Sequence, residues 1–166
     1  MKEKTVDESK LMIVQQMVQT DANLAGNVHG GVIMKLIDST AGIVAARHAL
    51  SNVVTASIDR LDFHHPVYVG ELLKINAAIN YAGNSSMEIG ARVEAENVLT
   101  GERRHTASAY LTFVALDKNG KPTKIPPLAL SNEEEARRYH EATERRKIRL
   151  AERSRKIKTR EGLEHS

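Results

Sequence analysis

Three successive stretches of the chain alternate apolar and polar residues with a period of two, and this narrows the fold more than any other feature of the sequence. Leu73, Ile75, Ala77, Ile79 and Tyr81 alternate with Lys74, Asn76 and Asn80. Met87, Ile89, Ala91, Val93 and Ala95 alternate with Glu88, Arg92, Glu94 and Glu96. Ala107, Ala109, Leu111, Phe113 and Ala115 alternate with Ser108, Tyr110 and Thr112. Side chains on a strand point alternately to its two faces, so each stretch reads as a strand with one buried face. Gly70, Gly83-Asn84 and Thr100-Gly101 separate them as turns, which makes an antiparallel meander. Val53–Phe63, β-branched and mixed, adds a fourth strand, and Leu11–Val18 a first one before it.

Between the first two of these strands lies a helical stretch, from about Val28 to Leu50. Ile33, Leu36, Ile37, Thr40, Ile43 and Val44 fall within one arc at 100° per residue and form its expected core face. The opposite side carries Gly31, Met34, Asp38, Gly42 and Ala45. A solvent-facing side would carry several Lys and Glu, so this helix reads as packed on both faces. One strand, one long helix and four strands give an α+β domain, with the helix on the concave face of a five-stranded sheet.

Composition excludes several chemistries. The chain has no Cys, which removes disulfides, a thiol nucleophile and Cys-ligated metal. The charged N-terminal decapeptide has no apolar core of a secretory signal, and no stretch approaches 18 uncharged apolar residues, so a cytoplasmic protein without membrane insertion is expected. The formal net charge of +3 is unevenly placed. Residues 1–130 hold 13 Lys and Arg against 13 Asp and Glu, whereas residues 131–166 hold 11 against 8. With Pro126-Pro127 as a break, residues 10–127 read as the domain and 128–166 as a charged extension. Ser131-Asn132 followed by Glu133, Glu134 and Glu135 starts a helix there. Its apolar residues are sparse (Tyr139, Ile148, Leu150, Ile157), so its end should project or fray. Nine basic residues against Glu152 in 145–160 suit a solvated helix, a neighbouring subunit, or polyanionic and anionic-membrane partners.

Residues 20–42 concentrate the candidate chemistry. Gly30 and Gly31 at the helix start leave backbone N–H groups accessible, at the end that attracts negative charge. Asn23 and His29 precede them. His29 has three open roles, in orienting the loop, contacting a ligand, or structure alone. Asp38 stands among small residues, where a carboxylate is usually paired or functional. His64, His65 and His105 do not form a metal pattern, since adjacent residues on a strand point to opposite sides; no metal is expected.

The run Asn23-x-x-Gly26-Asn27-Val28-His29-Gly30-Gly31-x-Ile33-Met34-Lys35-Leu36-Ile37-Asp38, followed by Ala41-Gly42-Ile43-Val44-Ala45-Ala46-Arg47-His48, resembles the acyl-CoA thioesterases of the hotdog fold. It is most similar to the cytosolic long-chain (brain-type) acyl-CoA hydrolases. Val54–Asp59, Asn84–Ile89 and Ala107–Tyr110 fit as well, so the resemblance spans about residues 10–140. It implies hydrolysis of fatty acyl-CoA to fatty acid and coenzyme A in an antiparallel sheet wrapped round one helix. It implies no cofactor beyond the coenzyme A of the substrate. In that family two domains pair edge to edge, and an Asn from one with an Asp from the other's helix form the functional pair, here Asn23 and Asp38. The vertebrate enzymes carry two such domains in tandem; a single domain must dimerise, and the family often assembles further into hexamers, as trimers of dimers. Nucleic acid is not an expected partner.

Helix geometry points to a shared site independently. Gly31 and Asp38 are seven residues apart, about 10.5 Å along a helix, whereas a reacting carbonyl must sit near 3 Å from both its oxyanion donors and its base. The expected roles follow. The N–H of Gly31, with Gly30, polarises the carbonyl; Asp38 of the other chain acts as general base or nucleophile; Asn23 orients water or substrate. Asn84, Ser85 and Ser86 are candidates for the phosphate or pantetheine contacts of coenzyme A, His29 is a further candidate contact, and Arg60, Arg103 and Arg104 are candidates for its 3′-phosphate. A non-catalytic acyl-CoA sensor on the same fold is the alternative, although no DNA-binding module precedes the first strand. The hydratase branch of the fold is a third option, but its helix-entry pattern is not found.

Overall fold

The computed structural model describes residues 1–164. A two-residue strand β1 (Lys4–Thr5) is followed by β2 (Leu11–Gln16), a 3-10 turn (Gln19–Asp21), helix α1 (Gly30–Ala49), and strands β3 (Asn52–Phe63), β4 (Leu72–Ala82), β5 (Ser86–Glu96) and β6 (Arg103–Leu116). A short β7 (Leu128–Ala129) and helix α2 (Glu133–Glu164) complete the chain. The large strands form one antiparallel sheet in the order β2-β4-β5-β6-β3, with α1 against one face.

The alternating stretches behave as expected except at Tyr81, which a register shift after Ile79 turns to the opposite face, against Tyr139. Leu73, Ile75, Ala77 and Ile79, Met87, Ile89, Ala91 and Val93, and Ala107, Ala109, Leu111 and Phe113 are all buried on the α1 side. Registers keep like with like, as in Ile75↔Val93, Ile89↔Leu111 and Ala91↔Ala109. A slip of one residue would turn each buried row to solvent.

The core face of α1 is rotated from the expected arc. Ile43 is 49% exposed, whereas Ala41, Val44, Ala45 and His48 are completely buried. The cause is the chain's own strands, which wrap the side carrying the small residues. A Cβ on Gly42 would lie 3.5 Å from the Phe113 ring of β6, and Thr55 of β3 reaches Asp38. The second contact anticipated for this helix is thus partly intramolecular.

Both termini of the fold join its core. β1 pairs in parallel with β7, Val6 is buried, and the Nε2 of completely buried His48 lies 2.8 Å from the carbonyl of Pro126. Burial holds the His48 pKa below its usual range, against the opposing effect of that carbonyl. α2 lies on the outer sheet face. Ala142 is buried, Tyr139 stacks on Tyr81, and Arg145 pairs with buried Glu88 while covering the Tyr110 ring. Among the described residues no helix is long and apolar enough to cross a membrane.

A histidine with a depressed folded pKa takes up its proton more readily when unfolded. Its contribution to stability is therefore complete above the unfolded pKa of about 6.5 and is lost as pH falls through that value. Thermal unfolding should show the melting temperature falling between about pH 7 and 5, and His48→Gln should flatten that slope. An unchanged slope in the variant would contradict this assignment.

Candidate active site

The loop before α1 is built on one side chain. Asn23 Oδ1 accepts from the N–H groups of Ala25 (2.9 Å) and Asn27 (3.2 Å), and the Asn23 N–H donates to the Asn27 carbonyl at 2.7 Å. Gly26 makes the turn possible with φ +85°, a conformation that costs other residues energy. The next residues are pinned on both sides, Val28 N–H by the Val67 carbonyl and His29 N–H by the Asp21 carbonyl, each at 2.7 Å. With its oxygen committed to the loop, the Asn23 amide has only its NH2 group left to offer a ligand.

His29 is the N-cap of α1. Its Nδ1 accepts the Gly31 N–H at 3.0 Å, so it holds one of the donors that a helix start leaves unsatisfied. Asn23, Asn27, Gly30, His64 and His65 line the polar part of a cavity of about 300 Å³ at this helix end, and Val28, Ile33, Phe63, Pro66 and Val67 form its apolar part. The ring of Phe63 lies against Gly30. His64 packs on the ring of His105, whose Nε2 lies 2.7 Å from Ser108 Oγ. Burial and the charge of Arg92 lower the His105 pKa.

Asp38 is not part of that cavity. It stands eight residues beyond Gly30 on α1, about 12 Å along the axis, and its Oδ1 accepts the Thr55 hydroxyl at 2.7 Å. Thr55 was not singled out from sequence, since one hydroxyl on an alternating strand gives no signal until the fold places it opposite the carboxylate. The two halves lie at opposite ends of β3. Phe63 pairs with Ala107 at one end and Thr55 with Phe113 toward the other, about 20 Å apart along the sheet.

The remaining candidates fall into two groups. The turn Asn84–Ser86 lies near the Thr55 end, and its carbonyls brace the sheet: Ala115 N–H donates to Ser85 and Ile125 N–H to Asn84. The three arginines each meet a carboxylate. Arg60 pairs with Asp62 at 2.6 Å and Arg103 with Glu96 at 3.1 Å. Arg104 donates to both oxygens of buried Glu71 and to the carbonyl of Pro66. Glu71 also raises the pKa of Arg104. Among the described residues no three His, Asp or Glu side chains converge as metal ligands.

Comparison with known proteins places this geometry in context. Residues 25–102 match the model of the thioesterase superfamily. The rat cytosolic acyl coenzyme A thioester hydrolase is 41% identical over 139 residues, covering 82% of this chain and 36% of that longer protein. The acyl-CoA hydrolase of Staphylococcus aureus, solved with butyryl coenzyme A and coenzyme A, superimposes with a TM-score of 0.88 at 37% identity, over 97% of this chain and 98% of that one. That enzyme has also been solved with an Asn, an Asp and a Thr replaced singly by Ala. A hexameric acyl-CoA thioesterase superimposes equally well, at TM-score 0.88 and 37% identity over 92% of this chain and 97% of that one.

The loop assignment has a direct readout. Asn23→Ala should lose hydrogen-exchange protection at the Ala25 and Asn27 amides, and Asn23→Asp should keep it, because the acceptor survives. Equal loss in both variants would contradict the role of Oδ1.

Proposed function

The chain belongs to the thioesterase superfamily and is an acyl-CoA thioester hydrolase, and we propose that its reaction runs where two copies of the chain meet. The observation that carries this reading is the separation of Gly30 from Asp38 on one rigid helix, Gly30 lying against Phe63 at one end of β3 and Asp38 bonded to Thr55 toward the other. β3 is an edge strand of 12 residues. Val54, Ile58 and Phe63 on it are 44%, 40% and 48% exposed, the kind of long apolar edge that invites strand pairing. Antiparallel pairing of two β3 strands about a two-fold near residue 59 sets Thr55 of one copy opposite Phe63 of the other. Each Asp38–Thr55 pair then faces the partner's Asn23 loop, giving two equivalent sites.

Within such a site each residue has a defined task. The Asn23 NH2 group donates to the thioester carbonyl oxygen. The helix-start N–H groups of Gly30 and Gly31 add to the same charge, Gly31 once its bond to His29 is released. Thr55 holds one oxygen of Asp38 and leaves the other to take a proton from water. The water oxygen bonds to the carbonyl carbon, and the oxyanion forms against the donors. Its collapse breaks the carbon–sulfur bond and expels coenzyme A as a thiolate. A general base is favoured over a nucleophile because the Thr55 hydroxyl already engages the carboxylate.

The spacing of the S. aureus variants supports these assignments. Its replaced Asn, Asp and Thr are separated by 15 and 17 positions, as are Asn23, Asp38 and Thr55 here. The reading needs no cofactor, since coenzyme A belongs to the substrate. It assigns the enzyme to the cytoplasm and allows a further assembly of three dimers. The Asn84–Ser86 turn remains a candidate contact to coenzyme A, whereas Arg60, Arg103 and Arg104 would have to leave their carboxylates to meet a phosphate.

Kinetics with palmitoyl-CoA separate the roles. Asp38→Asn should lower kcat by about 10³-fold, and Asn23→Asp by about 10²-fold with its loop intact. Thr55→Val should lower kcat about tenfold with little change in KM, as loss of positioning does. Near-normal turnover in Asp38→Asn would overturn the mechanism, and full activity in Asn23→Asp would reduce Asn23 to a loop anchor.

A further inference from the structure

The Asn23 loop is tied to the connection between β3 and β4, residues 64–71. Pro66 and Val67 of that connection line the cavity at the start of α1, together with Asn23 and Gly30. Two tethers join the connection to the loop. The Val28 N–H donates to the Val67 carbonyl at 2.7 Å, and Asn27 pairs with Tyr68 in an isolated antiparallel bridge. Asn27 and Val28 lie between the Asn23 turn and the His29 cap, so the connection sets where both stand.

One ion pair in turn holds the connection. Glu71 is 5% exposed, and its Oε2 accepts the Tyr68 N–H at 3.0 Å. Arg104 reaches it from β6. Its Nη2 lies 2.9 and 2.7 Å from the two Glu71 oxygens and 3.3 Å from the Pro66 carbonyl. Its guanidinium carbon lies 5.8 Å from the centre of the Tyr68 ring. The Met17 N–H donates to the Glu71 carbonyl at 2.9 Å and the Gly70 N–H to the Met17 carbonyl at 2.8 Å, which ties the far end of the connection to the segment after β2. Residues 66, 68 and 71 are thus all held through one carboxylate and one guanidinium. A buried pair of this kind adds little stability over apolar side chains of the same volume. What it adds is direction, because a planar donor fixes its acceptors where apolar contacts permit sliding.

We propose that Glu71 and Arg104 are positioning residues for the donor half of the site. The pair fixes residues 66–68, these fix Asn27 and Val28 through the two tethers, and the tethers set where the Asn23 NH2 group and the Gly30 N–H meet the thioester carbonyl. The proposal rests on the donor role assigned to Asn23 above. It gives Arg104 a task inside the protein in place of a contact to a coenzyme A phosphate. The pair touches no reacting atom, so its effect falls on kcat through geometry, and on the donor half alone. Asp38 and Thr55 lie toward the other end of β3 and are held by neither tether.

The test uses the full chain and Glu71→Gln, which keeps the side chain's size and loses its charge. Its kcat on palmitoyl-CoA should fall about tenfold with KM within about twofold of wild type. Exchanged with Asp38→Asn chains, it should gain about fivefold over the mean of the separate variants, because each mixed dimer regains one intact site. Exchanged with Asn23→Asp chains, it should gain nothing, since both lesions lie in the donor half. A gain with Asn23→Asp, or no gain with Asp38→Asn while Asn23→Asp and Asp38→Asn complement each other, would overturn the proposal. Failure of that last pair to complement would instead overturn the shared site, and hydrogen exchange then decides on the ion pair. The Val28 amide should lose protection in Glu71→Gln and the Ile89 amide of β5 should keep it; no loss at Val28, or equal loss at both, would overturn the proposal. Arg104→Met, made in the Glu71→Gln chain so that no buried carboxylate stands unpaired, should lower kcat equally on palmitoyl-CoA and on its 3′-dephospho analogue. A loss confined to KM for the 3′-phosphorylated substrate would return Arg104 to coenzyme A and overturn its positioning role.

Discussion

The rigidity of α1 governs the rest of the structure. A helix fixes the distance between its first turn and a carboxylate two turns later, and no side-chain motion brings the Asp38 oxygens back to the loop held by Asn23. The sheet reinforces that separation, because β3 carries Thr55 and Phe63 at its two ends. In the proposed site each chain therefore supplies a donor half and a base half. The proposed antiparallel contact joins unlike halves, and it would do so twice, giving a symmetric pair of sites from one interface.

Local chemistry then sets what each half can do. Asn23 spends its carbonyl on the loop and keeps its hydrogens, which suits the donor role proposed for it. Asp38 receives a hydroxyl on one oxygen and keeps the other, which suits the proposed base. His29 stands between these roles, since its ring caps the helix through the same Gly31 N–H that the reaction can use. A carbonyl oxygen entering there replaces one acceptor by another, at little cost in unsatisfied donors.

The strand pattern was legible in sequence because burial on one face imposes alternation, and the observed strands follow it closely. The resemblance carried by residues 23–48 pointed to the family. Other features were hidden for physical reasons. The rotation of the α1 core face depends on Phe113 and Thr55, which come from strands distant in sequence. β1 and β7 are two residues each, too short for any periodic signal. The partners of Arg103 and Arg104 follow from strand register and a distant turn. For α2 the sparse apolar content correctly suggested a projecting end, but the buried Ala142 and the ion pairs to Glu88 and Asp59 depend on what the outer sheet face offers.

Subunit complementation addresses the shared site most directly. Asn23→Asp and Asp38→Asn chains, each nearly inactive alone, are mixed in equal amounts and allowed to exchange. Half the dimers then carry one variant of each kind, with one intact site and one doubly altered site. The account predicts recovery of about a quarter of wild-type activity on palmitoyl-CoA. Activity that stays at the level of the separate variants after exchange has been verified would contradict it.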